Sequence, residues 1–334
     1  MAKSARLLAT FVFTLALVAL ASDGRAANAQ TTITGEWRAT LVRDMPDKTR
    51  DDKGDTDEAR FKPGKLREKA GELNLSFERF ESGGKSQMSQ NYDFADFQGL
   101  GREQVERGGA VRFQLVREAG TIECEGTFAD RKGTGTFRFT PSQSFVAAMK
   151  SRGFDFEKES WGRRREREAG DALFAAATLN VTTALADDLL SADFGKLDVD
   201  DLFKAAIFKV DSKFMREMKA SGFPGLGMEE LVKARIFKID ADFVRDAARM
   251  GFDKEPFESL VKMRIFKVTP EFVAEVRGEG LGDLSIEELV KLRIFKIDSD
   301  FIRRAKADGV PLEVEELVHR RIMGGRTRSR SYQE

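Results

Sequence analysis

Leu260-Val261-Lys262-Met263-Arg264-Ile265-Phe266-Lys267-Val268-Thr269-Pro270-Glu271-Phe272-Val273 is the stretch that decides the fold of this chain, because it returns. It is preceded at a distance of 29 residues by Leu231-Val232-Lys233-Ala234-Arg235-Ile236-Phe237-Lys238-Ile239-Asp240. It is followed at the same distance by Leu289-Val290-Lys291-Leu292-Arg293-Ile294-Phe295-Lys296-Ile297-Asp298. Leu173-Phe174 and Leu202-Phe203 hold the same place in two earlier units, and Leu317-Val318 follows after a step of 28. Six units on one period are the signature of a repeat array, in which no unit buries its apolar face alone.

Each unit reads as two short helices. In the first, Val232, Ile236 and Ile239 fall at i, i+4 and i+7, one face of a helix, and the units at Val261 and Val290 repeat the pattern. Ser285-x-x-Glu288 is a capping-box pattern, and Pro256 stands at a first-turn position. The second helix is announced by Thr182, Asp211, Asp240, Thr269 and Asp298, each three residues before Leu185, Phe214, Phe243, Phe272 or Phe301. All five residues can cap a helix N-terminus. Gly222, Gly251, Gly280 and Gly309 come eight residues after the four phenylalanines and suit left-handed stops. Phe145 and Gly153 share that spacing, so 140–153 reads as a half-repeat. Helices this short are unstable alone and must stack. The expectation is an α-solenoid of two-helix repeats over 173–324, preceded by a half-repeat and charged linker at 141–172 and followed by a basic disordered tail at 325–334.

Upstream, over 30–140, the period is two. Trp37/Ala39/Leu41, Leu73/Leu75/Phe77, Met88/Tyr92/Phe94, Val111/Phe113/Leu115, Ile122/Cys124/Phe128 and Phe137/Phe139 alternate with polar residues, the pattern of half-buried strands. Ser82-Gly83-Gly84, Gly108-Gly109, Ala119-Gly120 and Asp130-Arg131-Lys132-Gly133 are turn chemistry for antiparallel hairpins. About six strands are expected, in an antiparallel sandwich or partial barrel, interrupted by a charged surface insertion at about 43–69. The fold class is therefore α+β, with two domains.

The first 29 residues read as a secretory leader. Lys3 and Arg6 precede an apolar run at 7–21, and Ala27-Asn28-Ala29 is a small-x-small cleavage pattern before Gln30. An uncleaved N-terminal anchor is the alternative. The expected location is periplasmic or secreted, with cleavage after Ala29 and no transmembrane segment thereafter. The chain carries 56 Lys+Arg and 56 Asp+Glu, a formal net charge of +0, which gives no global footprint for nucleic acid. Cys124 is the single cysteine, placed in a strand, and reads as a buried structural thiol.

The candidate interaction surface is the recurring Arg-Ile-Phe-Lys. Arg235/Lys238, Arg264/Lys267 and Arg293/Lys296 are three apart, hence on one helical face, and stacked units would align them as a basic ladder. The plainer reading is a solvated structural face, because Glu229/Lys233, Glu258/Lys262 and Glu287/Lys291 are i,i+4 pairs that already support each helix. Phe208, Phe237, Phe266 and Phe295 read as inter-repeat packing. Asp198-Val199-Asp200-Asp201, Asp240-Ala241-Asp242 and Asp298-Ser299-Asp300 lack the glycine and distal glutamate of a calcium loop. His319, the one histidine, occupies the slot of Lys233, Lys262 and Lys291 in sister units, so no paired-histidine metal motif exists. No catalytic residue, metal or cofactor is assigned.

Leu-Val-x-x-Arg-Ile followed by Thr269-Pro270-Glu271-Phe272-Val273 and a helix ending in glycine resembles repeats of uncharacterised secreted bacterial proteins. It is similar also to extracytoplasmic repeat tails of β-lactam-sensor-type membrane metallopeptidases. Phe97-Gln98-Gly99-Leu100, Val111-Arg112-Phe113, 120–126 and 135–141 resemble the β domain preceding such repeats. This chain has Phe-Lys at 237–238, 266–267 and 295–296 where those relatives tend to have His-Gly, and the peptidase module with its His-Glu-x-x-His motif is absent. The resemblance implies an envelope-side sensing or interaction role and transfers no activity. The leading expectation is thus a non-enzymatic envelope interaction or scaffold protein that binds a protein or envelope polymer through its repeat surface. A small-molecule-sensing β domain with the array as output is the alternative, and an unrecognised hydrolase the third.

Overall fold

The computed structural model describes residues 32–42, 71–81, 84–158 and 169–328. The expected leader at 1–29, the insertion at 43–69, most of the charged stretch at 157–168 and the last six residues of the tail lie outside the described residues.

The β half consists of β1 (Ile33–Leu41), β2 (Leu73–Glu81), β3 (Gly84–Tyr92), β4 (Phe97–Gln98), β5 (Gly109–Arg117), β6 (Gly120–Ala129) and β7 (Lys132–Pro141). They form one antiparallel sheet in the order β3-β2-β1-β7-β6-β5-β4. The first strand pairs with the last, and two strands consecutive in the chain, β3 and β4, are the edges. This is the order of an up-and-down barrel left open at one seam. All six expected strands occur. The two-residue β4 and the helix α1 (Arg102–Arg107) are additions, and Phe94 falls in a 3-10 turn (Phe94–Asp96) instead of a strand. Two residues are too few to show an alternation.

Alternation buries one face of the sheet, with Trp37, Leu75, Phe77, Phe113, Ile122 and Phe139 all at or near zero exposure. The Trp37 indole meets Phe113 edge-on at 5.3 Å and donates from Nε1 to the Glu125 carbonyl at 3.1 Å. It fits because two neighbours have no side chain: a Cβ on Gly126 or Gly133 would lie 2.6 or 2.7 Å from the ring. Cys124 is buried on the same face, and desolvation pushes its thiol pKa up, which keeps it protonated and unreactive.

The helical half runs in two rows. The first helices of the units are α3 (Ala169–Leu179), α5 (Val199–Phe208), α7 (Met228–Phe237), α9 (Phe257–Ile265), α11 (Ile286–Ile294) and α13 (Val314–Arg328). Each packs on the next. The second row is α2 (Gln143–Lys150), α4 (Thr183–Leu190), α6 (Ser212–Ala220), α8 (Ala241–Arg249), α10 (Pro270–Gly278) and α12 (Ser299–Ala307). Here α2 packs on α4, α4 on α6 and α10 on α12. The caps do what their spacing indicated. Thr182, Asp211, Asp240, Thr269 and Asp298 each accept a hydrogen bond from the backbone N–H three residues on. Gly222, Gly251, Gly280 and Gly309 have φ of +100°, +97°, +102° and +73°. α2 has the same form, with Ser142 capping Phe145 and Gly153 at φ +95°. The Ser285–Glu288 capping box is formed, while Pro256 stands one place before the first turn, as the N-cap of α9. At the far end α13 carries on through Gly324 to Arg328, so 325–328 extend a helix where a disordered tail was expected. A helix already nucleated adds one bond per residue at little cost.

The two halves share one hydrophobic cluster that runs from Ile33 to Val318. Its hinge is α3, whose Phe174 stacks on Phe137 at 5.1 Å and meets Phe139 at 5.4 Å and Phe77 at 5.5 Å. The Tyr92 hydroxyl donates to the Thr178 carbonyl at 2.9 Å. The first helix of the array is therefore also the cover of the sheet. Among the described residues no single helix is long and apolar enough to cross a membrane; α3 and α4 pass that test only as a pair, bent by 85°.

Candidate interaction surface

Sequence reasoning placed Arg235, Lys238, Arg264, Lys267, Arg293 and Lys296 together on one helical face; the array separates the arginines from the lysines. α7 ends at Phe237, α9 at Ile265 and α11 at Ile294, so each lysine lies beyond its helix. Lys238, Lys267 and Lys296 turn the chain with φ of +54°, +54° and +52°. A left-handed residue leaves the helical path, and the i,i+3 alignment with arginine goes with it.

The arginines are inter-repeat staples. The Arg235 guanidinium lies 3.8 Å over the ring of Phe214, Arg264 3.8 Å over Phe243, Arg293 4.8 Å over Phe272 and Arg321 5.0 Å over Phe301. Each phenylalanine belongs to the second helix of the preceding unit. The same side chains cap the preceding first helix: Arg264 Nη2 donates to the Lys238 carbonyl at 2.7 Å, Arg293 Nε to Phe266 at 3.0 Å and Arg321 Nε to Phe295 at 3.1 Å. One guanidinium thus satisfies orphan carbonyls, offsets the negative end of a helix and covers an aromatic face. Arg235 is the exception in detail, with Nη2 3.8 Å from Asp211 Oδ1 and a buried Nε that has no hydrogen-bond partner. Partial burial holds the Arg264 pKa below its ordinary value. The chain records the pairing itself: where the second helix has Leu185 in place of phenylalanine, the matching arginine slot is Ala206.

The acidic partners are also redirected. Glu229, Glu258 and Glu287 were expected to pair with lysines one turn on in their own helices. Instead Lys204 reaches Glu229 at 2.7 Å, Lys233 reaches Glu258 at 2.7 Å, Lys262 reaches Glu287 at 2.6 Å, and Lys291 pairs with Glu315. Stacked first-row helices bring the next unit's first-turn carboxylate within reach of the lysine stem, so the pair crosses the interface. Hydrogen bonds to Asp200 and Glu229 hold the Lys204 pKa above its usual value, against the opposing effect of burial. In the second row Asp188 of α4 accepts from the Ser212 N–H at 2.8 Å and its hydroxyl at 2.7 Å, which lowers the Asp188 pKa.

What remains unspent is a second lysine in each of four consecutive units and a row of isoleucines. Lys209, Lys238, Lys267 and Lys296 are exposed, and among the described residues no ion pair holds their ammonium groups. All four have positive φ, a conformation that costs a residue with a Cβ about 1 kcal/mol. The first unit fills that place with Asn180, at φ +54°. The isoleucine read as an inner-face residue is half-buried at Ile236 but 49% exposed at Ile265, 53% at Ile294 and 47% at Ile322. Val232 and Ile239, from the same expected face, are buried. Phe208, Phe237, Phe266 and Phe295 are half-buried and packed on the core. No signal in the chain distinguishes the exposed isoleucines from the buried ones, since both lie on the apolar period.

Two further concavities differ in size. The sheet's apolar face is filled by its own rings and Phe174, and the cavity beside the Arg79–Asp171 ion pair measures about 70 Å³. That is well below the few hundred Å³ of a small-molecule site. A cleft of about 390 Å³ at the end of the array is lined by Val310, Pro311, Glu316, exposed His319 and Met323. Among the described residues no three His, Cys, Asp or Glu side chains are grouped to hold a metal ion. Comparison with protein-family models, with curated proteins and with solved structures finds no match to this chain, so its activity has to be argued from its own residues.

Proposed function

We propose that this chain is a non-enzymatic interaction or scaffold protein of the bacterial envelope, which binds a protein or envelope polymer through its helical repeat surface. The supporting observation is the row Ile265, Ile294 and Ile322, one large apolar side chain about half exposed on each of three successive first-row helices. Isolated exposed isoleucines are ordinary; a series at one register position along an array, bordered by charge, has the composition of a docking surface. The envelope location rests on the leader-like residues 1–29, and the role agrees with the resemblance to secreted repeat proteins.

Photo-crosslinking residues placed singly at Ile265 and Ile294 on the array and at exposed Val116 on the sheet, in cells expressing the full chain, test the reading. The expected result is one shared partner captured from both array positions and not from Val116. Capture through Val116 alone, or through none of the three, overturns it.

A further inference from the structure

Four consecutive units carry two lysines each, one inside the first helix and one at the turn that follows it, with opposite fates. Lys204, Lys233, Lys262 and Lys291 are tied to the carboxylate of the next unit, whereas Lys209, Lys238, Lys267 and Lys296 stand exposed at the turn between the two helices, with no ion pair among the described residues. The free lysines occupy a left-handed position that glycine takes without a steric penalty, and do so in four consecutive units. A side chain retained where the backbone prefers none points to a use for that side chain. Around the same turns the capping carboxylates of Asp211, Asp240 and Asp298 already accept backbone N–H groups, and the fourth cap, Thr269, is uncharged. With Arg235, Arg264, Arg293 and Arg321 beside them, cations outnumber carboxylates along this edge. Asp242 and Asp300, just inside the second helices, are held by Arg245 and Arg303 of their own helices, while Glu271, at the same place in the unit between them, is exposed and accepts from its own backbone N–H and the Thr269 hydroxyl. Two residues before Lys267 and Lys296 come the exposed Ile265 and Ile294.

We infer that this edge is a track for an extended acidic polypeptide, which lays one carboxylate against each free lysine and an apolar side chain against the isoleucines between them. The inference rests on the proposed docking role and specifies its chemistry. Spacing favours an extended chain of the polyproline II type: packed helices stand about 8–10 Å apart, and such a chain rises about 3.1 Å per residue with three residues per turn, so every third side chain of the partner faces the array and meets a new unit. Charge complementarity favours acid over a neutral polymer, and the isoleucines favour a polypeptide with apolar residues over a uniformly charged polyanion.

The test is fluorescence anisotropy of the full mature chain with a labelled peptide of about 12 residues carrying Asp at every third position and Val or Ser between. A peptide of the same composition with its four Asp contiguous is the control. Lys209, Lys238, Lys267 and Lys296 are changed together to Gly, which keeps the turn and removes the charge. The expected result is binding that prefers the spaced peptide, weakens with salt, and falls about tenfold or more in the Lys→Gly variant, while its Tm is unchanged or raised. Ile265→Ser with Ile294→Ser weakens binding further and leaves its salt dependence in place. Equal binding by the Lys→Gly variant, equal binding of the clustered peptide, or a preference for heparin or anionic vesicles overturns the track. If crosslinks through Ile265 and Ile294 persist in the Lys→Gly variant, the docking role stands and the lysine track alone falls; if the wild-type chain gives no such crosslinks, the docking role itself fails.

Discussion

In the β half, Trp37 of β1 packs on Phe113 of β5 and Phe128 of β6, residues 76 and 91 places further along the chain. In the array, Arg264 of α9 reaches Phe243 of α8 and the end of α7, all within 26 residues. The first region closes only when distant segments meet; the second is a sum of like interfaces, each between neighbours. What the contrast teaches is where a change will spread. A lesion in the sheet is felt throughout the sheet, while a lesion in the array stays with one interface unless it touches α3, which belongs to both.

Phe174→Ala is the change that breaks the comparison most severely. It removes a buried ring that meets Phe77, Phe137 and Phe139, at an expected cost of about 3–5 kcal/mol. Urea unfolding followed by tryptophan fluorescence and by helical circular dichroism should show both signals shift together, since the core is shared. A shift in the fluorescence alone would mean that the halves unfold independently.

Arg264→Ala removes one staple and is expected to cost about 1–3 kcal/mol, from a charge-assisted hydrogen bond and a cation–π contact. Arg264→Lys keeps the charge but loses the planar fork, and should recover less than half of the loss. Hydrogen exchange sharpens the comparison: amides of α7, α8 and α9 should lose protection while those of β5 and β6 do not.

Asp188→Ala removes the carboxylate that joins α4 to α6, for about 1 kcal/mol at neutral pH. The Asp188 pKa is depressed in the folded protein, so its contribution is present above the unfolded carboxylate value of about 3.9 and is lost as pH falls through the lower folded value. The stability difference between wild type and variant should therefore close in acid, read from denaturation midpoints at neutral pH and below about pH 4. A difference that persists unchanged in acid would assign it to packing. Lys262→Ala is the mildest: an exposed pair with Glu287 is expected to contribute a few tenths of a kcal/mol, less in high salt, by thermal melts at two ionic strengths.

Much of the array was legible because its signals are local. The capping slots from Thr182 to Asp298 and the glycine stops concern residues within one unit, where backbone geometry decides their meaning, and the 29-residue step between units is a matter of chain order alone. The candidate surface was legible only in part. The Arg-Ile-Phe-Lys motif marked the turn between the two helices of a unit, but periodicity extended the helix one residue too far, through Lys238, and so merged a staple with a free charge. The pairing of Lys233 with Glu258 instead of Glu229 was equally hidden, because two acceptors compete and only the packed interface selects between them.

The chain's own order of residues determined the class of each half, the alternation of the strands and the caps and period of the helices, since these depend on local dihedral preference and on which face is apolar. Tertiary structure alone decided that β1 would close on β7, that α3 would cover the sheet, and that arginines would turn inward to bind the previous unit while four lysines stayed in water. The physical reason is that these outcomes depend on competition among distant partners for the same surface and the same hydrogen bonds, which is settled only when all of them are in place.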